Sequence, residues 1–169
     1  MAKAVKMGFE ADRRIVKVFN NRRVTATIGG QTCNYRSVLE YRWALYLQFL
    51  VDSGELDSWE YETDTFYFPG ETTAPVRYLP DFKIVEPGGV IVYQECKGWH
   101  DGPTNTKLRR TARHYPDVVM ELVLQRIPKK GVKGVNRRRV ADKYTRRIID
   151  ASDIFKQMKG AINFDTPNY

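Results

Sequence analysis

The stretch that most constrains this chain is residues 78–97, where the runs Tyr-Leu-Pro-Asp-Phe-Lys-Ile-Val and Val-Ile-Val-Tyr-Gln-Glu-Cys-Lys flank Glu-Pro-Gly-Gly. Two short apolar runs around a Pro-Gly-Gly turn specify a β-hairpin. With Pro87, Gly88 and Gly89 as the loop, Glu86 faces Val90, and counting back along both strands sets Asp81 opposite Glu95. Directly opposed residues hold their Cβ atoms only ~4.5–5.5 Å apart. A longer or shorter loop moves this pairing slightly, so the two carboxylates stay neighbours in any plausible register. Side chains alternate along a strand, which puts Glu95 and Lys97 on one face. The hairpin therefore gathers two carboxylates and an ammonium on one patch of sheet.

Carboxylates that close repel unless a proton or a cation sits between them. For an arbitrary Asp, Glu and Lys the ordinary reading is a surface strand with a cross-strand salt bridge. Here the triplet closes a nearly continuous apolar run, residues 90–93, where a solvated charge cluster is not expected. Oxygen-rich sites suit Mg²⁺ or Mn²⁺. A lysine alongside can orient an attacking water or help to deprotonate it. Asp81, Glu95 and Lys97 are thus candidate catalytic residues.

At 169 residues the chain fits one domain with a real core. No apolar run approaches the ~20 residues of a membrane span, and the N-terminus lacks the apolar centre of a signal peptide. Cys33 and Cys96 lie far apart, no CxxC pair occurs and there are two histidines, which argues against a zinc site and a disulfide scaffold. A reducing, cytoplasmic setting is the default expectation. The balance of 28 basic against 20 acidic residues gives a net charge of +8, which favours a polyanionic partner.

The first 35 residues read as a basic β-ribbon, with strands over 14–19 and 22–28 carrying Arg13, Arg14, Lys17, Arg22 and Arg23. A solvated edge ribbon explains it better than a dedicated DNA clamp. The first clear helix spans 38–53. Ser37 and Glu40 have the form of a capping box, Leu39, Trp43, Tyr46, Leu47 and Leu50 recur at helical spacing, and Gly54 supplies the stop. Glu40 is explained as a cap residue. It also aligns with Ala44, Leu47 and Val51 on the protein-facing flank, which makes it a candidate metal-site member, and the two roles can coexist.

Residues 59–63 and 65–68 alternate like strands, and 98–103 read as a loop beside the candidate site, with His100 a loop residue rather than a ligand. Residues 107–114 form a basic amphipathic helix ended by Pro116. Its apolar stripe is Leu108, Ala112 and Tyr115, and Lys107, Arg109, Arg110 and Arg113 are candidate DNA contacts. A buried strand follows at 118–124, and strand, helix, strand implies a right-handed crossover and a parallel pair. Residues 126–147 hold ten basic residues and one acid, Asp142. They read as a linker, then a helix capped by Asn136 with Val140, Tyr144 and Ile148 on one face. A charge run is usually only a solvated face, yet these cations stand near-uncompensated beside the candidate core. Lys129, Lys130, Lys133, Arg137, Arg138 and Arg139 are therefore also candidate phosphate contacts. A last short helix, 152–159, would close the core with Ile154, Phe155 and Met158.

Arg36-Ser-Val-Leu-Glu40, Trp59-Glu-Tyr-Glu, Tyr78-Leu-Pro-Asp81, Glu95-Cys-Lys-Gly98, Lys107 and His114-Tyr-Pro116 occur in a telling order. Over residues 35–125 the chain resembles phage endonuclease I-type Holliday-junction resolvases of the PD-(D/E)xK nuclease superfamily. It also looks like the nuclease subunits that cut transposon ends, which share the helix glutamate, Pro-Asp and Glu-x-Lys-Gly. The resemblance implies an α/β fold, a mixed central sheet flanked by helices, here with a basic C-terminal helical extension. The single nuclease domain of 1–169 would comprise the ribbon 1–35, the core 36–125 and the extension 126–169. Two Mg²⁺ or Mn²⁺ ions would be held by Asp81, Glu95, Glu40 and the backbone carbonyl of Cys96, and Lys97 would assist the attacking water. The implied substrate is branched DNA and the implied assembly a homodimer, in the host cytoplasm if the gene is a phage's. Trp59, Tyr61, Phe66, Tyr67 and Phe68 are candidate interface aromatics, each equally readable as core. Two alternatives stand beside this: a sequence-specific or transposon-end nuclease, and a non-catalytic nucleic-acid binder on the same fold.

Overall fold

The computed structural model describes residues 22–127 and 139–167. In chain order the elements are β1 (Val24–Ile28), β2 (Gln31–Tyr35), α1 (Val38–Asp52), β3 (Ser58–Tyr61), β4 (Phe66–Tyr67) and β5 (Arg77–Tyr78). There follow β6 (Phe82–Glu86), β7 (Val90–Lys97), α2 (Gly102–His114), β8 (Val119–Leu124), β9 (Arg147–Asp150) and α3 (Ala151–Met158). Gly88 and Gly89 have φ of 93° and 82°, a left-handed backbone that glycine adopts at little steric cost. This lets the Gly89 N–H return to the Glu86 carbonyl at 2.9 Å. The β6–β7 register is the one expected from the turn, with Glu86 opposite Val90 and Phe82 opposite Gln94. One step further along, Asp81 leads towards Glu95.

That hairpin lies inside a five-stranded mixed sheet of order β3-β6-β7-β8-β9. The β3–β6 and β6–β7 pairs are antiparallel, whereas β7–β8 and β8–β9 are parallel. The α/β class and the parallel β7–β8 pair follow the sequence expectation. Alternation along β8 splits its side chains between two cores. Met120, Leu122 and Leu124 pack with Leu108 of α2 and with Phe66, Phe68 and Tyr78. Val119 and Val123 face the other way, to Trp43 and Leu47 of α1 and to Ile154 and Phe155 of α3. Helices thus cover both faces, and each large apolar side chain buried there contributes ~1.5–3 kcal/mol.

The start of α2 and the C-terminal third depart from expectation, each for a physical reason. α2 starts at Gly102, five residues earlier than the basic amphipathic stretch, because Asp101 caps it and a first-turn proline, Pro103, costs a helix nothing. In the ribbon, β1 pairs with β2 across Gly29–Gly30, and the strand expected at 14–19 lies outside the described residues. Of the candidate interface aromatics, Trp59, Phe66 and Phe68 are buried core, Tyr61 is half-buried, and Tyr67 alone is well exposed at 58%.

The largest correction concerns the C-terminal third. Residues 139–141 are helical and the helix ends there, with 142–144 in a turn, and Ile148, expected on a helix, lies instead on β9 opposite Leu122. Ile148 and Ile149 then point into the two separate cores, as strand geometry requires of adjacent residues. Arg146 and Arg147 are not uncompensated either. Both close on Glu121, which is 0% exposed, and Arg146 also makes a two-pronged contact with Glu86. Among the described residues no helix is long and apolar enough to cross a membrane.

Candidate functional site

Of three carboxylates predicted from sequence, Asp81 and Glu40 line one cleft, and Glu95 is a charged neighbour of Asp81. Asp81 sits where β6 begins, its carbonyl accepting from the Glu62 N–H beyond β3 at 2.9 Å. Its carboxylate accepts from the Cys96 N–H at 2.7 Å and from the Arg36 guanidinium at 2.9 Å. Glu95 projects from the α2-facing side of β7, with Lys97 beside it as the alternation demands. Its Oε1 accepts from Lys97 Nζ at 2.8 Å and Lys107 Nζ at 3.2 Å, and its Oε2 from the Tyr78 hydroxyl at 2.9 Å. Lys107 also stands 4.9 Å over the Tyr78 ring, a cation–π contact.

Glu40 serves as a cap, but with a longer reach than the capping box predicts. Ser37 Oγ accepts from the Glu40 N–H at 3.2 Å, as an N-cap should. The Glu40 carboxylate accepts from the Ser37 hydroxyl at 2.8 Å, then passes the cap residue to take the Arg36 N–H at 2.8 Å and the Tyr61 hydroxyl at 2.6 Å. Together with Arg36, Ser37, Asp81, Cys96 and Lys97, it lines a cleft of about 320 Å³.

Burial sets the electrostatics. Asp81 is 2% exposed, and desolvation, with the charges of Glu95 and Glu40 added, pushes its pKa well above the usual carboxylate range. Burial also raises Tyr78 and the Cys96 thiol. Around Lys97 burial favours the neutral amine, yet the neighbouring Glu95 and Asp81 prevail and raise its pKa. The Asp81 carboxyl therefore holds a proton more readily than an exposed one, although Arg36 is bonded to it. A proton or a cation relieves such crowding, and the oxygens of Asp81, Glu95, Glu40 and the Cys96 carbonyl are the donor type that an oxygen-preferring dication takes. Among the described residues no three His, Cys, Asp or Glu side chains form a ready-made metal cage. Arg36, Lys97 and Lys107 hold the carboxylates instead. The donors suit Mg²⁺ or Mn²⁺ in kind, and the Arg36 side chain, 53% exposed, is not packed into place. No protein-family model, curated protein or solved structure matches the chain.

The candidate DNA contacts divide. Arg109 is exposed on α2, and Arg139 is exposed in the helical residues 139–141. Lys107 belongs to the Glu95 cluster. Arg113 is exposed but paired with Glu71. Arg110 departs from expectation: it is 6% exposed and donates to the Thr73 carbonyl at 2.8 Å and to Thr73 Oγ1 at 2.9 Å, so it pins the 69–76 loop rather than meeting solvent. Lys129, Lys130, Lys133, Arg137 and Arg138 lie outside the described residues. Sequence reasoning missed Arg36, Tyr61 and Tyr78 as partners of the carboxylates. A signal existed for two of them. Arg36 immediately precedes the N-cap, and Tyr61 falls opposite Phe82, the neighbour of Asp81.

Proposed function

We propose that this chain is a metal-dependent DNA endonuclease of the PD-(D/E)xK type, acting on branched DNA as a homodimer. The observation that carries the reading is the buried Asp81 carboxyl, which lines one cleft with Glu40 and Lys97 and has Glu95 as a charged neighbour. Carboxyl groups buried that close together are costly in a purely structural role. The net charge of +8 supports a polyanionic substrate.

In this reading Asp81, Glu95 and the Cys96 carbonyl would hold the metal, with Glu40 completing the set. When bound, the dication supplies Lewis-acid charge to the phosphate and lowers the pKa of a water. The protein's own groups do the rest. Tyr78 and Lys107 fix Glu95, and the Cys96 N–H fixes Asp81, so both carboxylates are held before substrate arrives. Lys97, 2.8 Å from Glu95, is placed to orient the attacking water or a phosphate oxygen. The water oxygen bonds to phosphorus as the P–O3′ bond breaks, leaving a 5′-phosphate and a 3′-hydroxyl. Resolving a junction needs two symmetric cuts, which a two-fold dimer supplies with one repeated interface.

The test is a gel comparing a four-way junction, a fork, linear duplex and single strand, with Mg²⁺ and with EDTA, alongside light scattering of the protein. Expected are Mg²⁺-dependent nicks favouring the junction and a particle of about twice 19.7 kDa. Cleavage that persists in EDTA would sink the metal mechanism. A monomer cutting linear duplex as fast as junctions would remove the branched-substrate and dimer parts.

A further inference from the structure

Three tryptophans occupy two kinds of place. Trp43 and Trp59 are 1% and 2% exposed, and their indole N–H groups donate to Gln94 at 2.8 Å and Gln48 at 3.0 Å. Trp99 is 56% exposed. An exposed indole leaves a large apolar face uncovered, and aromatic rings of this size ordinarily find cover.

The backbone that carries Trp99 is fixed on both sides. Before it, the Lys97 carbonyl accepts from the Gln125 N–H at 2.9 Å, and Gly98 lines the cleft that holds Asp81 and Glu40. After it, His100 is 4% exposed with its Nε2 2.8 Å from Asn105 Oδ1. Asp101 then caps α2, accepting from the Thr104 N–H at 2.9 Å and hydroxyl at 2.6 Å. The indole is thus displayed to solvent from a short anchored segment, two residues from Lys97 and beside the cleft. Lys97 and Lys107 lie on the same end of the sheet, and Arg109 is exposed on the helix that follows.

We propose that Trp99 is a stacking platform for an unpaired nucleobase, and that it makes the site select DNA with a free base face over continuous duplex. The inference rests on the nuclease reading and deepens its substrate class. In a continuous duplex every base is covered above and below by its neighbours. A free face is offered only by single strand, by an unpaired base or by a strand opened at a branch. Base–aromatic stacking tolerates any sequence because every base has a π-face, so the platform reads structure and not sequence. The cations beside it take the flanking phosphates, which places the stacked base next to the carboxylate cluster.

The test uses the full chain and a fluorescently labelled oligothymidylate, followed by anisotropy in EDTA so that nothing is cut. Because Trp43 and Trp59 are buried, Trp99 dominates the accessible tryptophan emission, and saturating oligothymidylate should quench it. Trp99→Ala should weaken oligothymidylate binding roughly 5- to 150-fold, the equivalent of ~1–3 kcal/mol for one stacked base. Trp99→Phe, which keeps a ring face, should recover most of that loss, and a purely electrostatic contact would not distinguish the two variants. Thermal melts of both variants at the wild-type temperature show that the fold is retained. Wild-type affinity in Trp99→Ala, or saturation without quenching, overturns the proposal. Binding with quenching but no Mg²⁺-dependent cleavage of a junction would overturn the nuclease reading and leave the stacking site standing. No binding to any DNA overturns both.

Discussion

Glu40→Gln separates the cap role of this side chain from its proposed metal-site role. The carboxylate accepts three hydrogen bonds, from the Ser37 hydroxyl, the Arg36 N–H and the Tyr61 hydroxyl. A glutamine oxygen turned towards Arg36 and Tyr61 keeps two of them. Its NH₂ then faces Ser37 Oγ, which has a second lone pair to accept with and a hydroxyl free to rotate. Three charge-assisted bonds become neutral, from ~1.5–3 to ~0.5–1.5 kcal/mol each. Removing an anion that is 7% exposed and adjacent to Asp81 offsets most of that. The net destabilisation is about 1 kcal/mol, a fall in Tm of ~2–4 °C for a chain of this size. Against a total stability of ~5–15 kcal/mol the variant stays folded. Cleavage, in contrast, should fall at least ~10–100-fold, the usual effect of disturbing a metal's ligand shell. The assay is a single-turnover nicking rate in Mg²⁺ paired with a thermal melt. A wild-type rate with the small Tm shift would refute the metal-site role and leave Glu40 as a cap alone. Alanine cannot make this distinction, because it strands three donors at ~1–3 kcal/mol apiece.

Asp81→Asn, Glu95→Gln and Lys97→Ala are each expected to reduce nicking to background while DNA affinity by anisotropy stays near wild type; active Asp81→Asn protein would remove the central carboxylate from the chemistry. Arg110→Ala should cost about 3 kcal/mol in urea unfolding, since it opens a buried charge contact, and should leave the slope of log affinity against log salt unchanged. Arg109→Ala should do the reverse, with stability kept and the slope reduced by ~0.9 if Arg109 meets a phosphate of duplex DNA. Asp101 gives a pH test. Burial raises its pKa, but the Thr104 bonds and the nearby Lys97 and Lys107 charges prevail and depress it. Its stabilisation is therefore complete above the ordinary carboxylate value of ~3.9 and is lost as pH falls through the lower folded value. Asp101→Ala should cost ~1 kcal/mol at neutral pH, with the gap closing in acid; a gap constant with pH would mean that the cap charge does nothing.

Much of the centre of this fold was legible because its determinants are local. The Pro-Gly-Gly turn sets a register, the register sets which residues face each other, and alternation sets Lys97 beside Glu95. α1 was equally legible, since Ser37, the apolar spacing and Gly54 all lie within one helix length. What escaped was every partner brought from a distance. Arg36 reaches Asp81 across 45 residues and Tyr61 reaches Glu40 across 21. Nothing in a run of sequence marks such pairs. The α2 start escaped for a different reason: Gly102 and Pro103 look like loop residues unless Asp101 is read as a cap first.

The C-terminal third shows what would have improved the reading. Val-Met-Glu-Leu-Val-Leu, at 119–124, places an acid in the middle of a buried strand, and a buried carboxylate needs partners. Glu121 finds Gln94 directly opposite in register, with Trp43 bonded to the far side of that amide. It then takes Arg146 and Arg147 from 25 and 26 residues away. Arg147 opens β9 opposite Glu121 in register, Arg146 lies in the bend just before it, and the strand then sends Ile148 and Ile149 into opposite cores. Glu121 was thus a demand for cations that the basic run was placed to answer. The consequence reaches function. Arg146, Arg147 and Arg110 are committed to carboxylates within the fold, so these three cations are not free to meet DNA. The salt slope of DNA binding should accordingly lack the contributions of Arg146 and Arg147, two of the ten cations of 126–147, and Arg147→Ala should leave that slope unchanged.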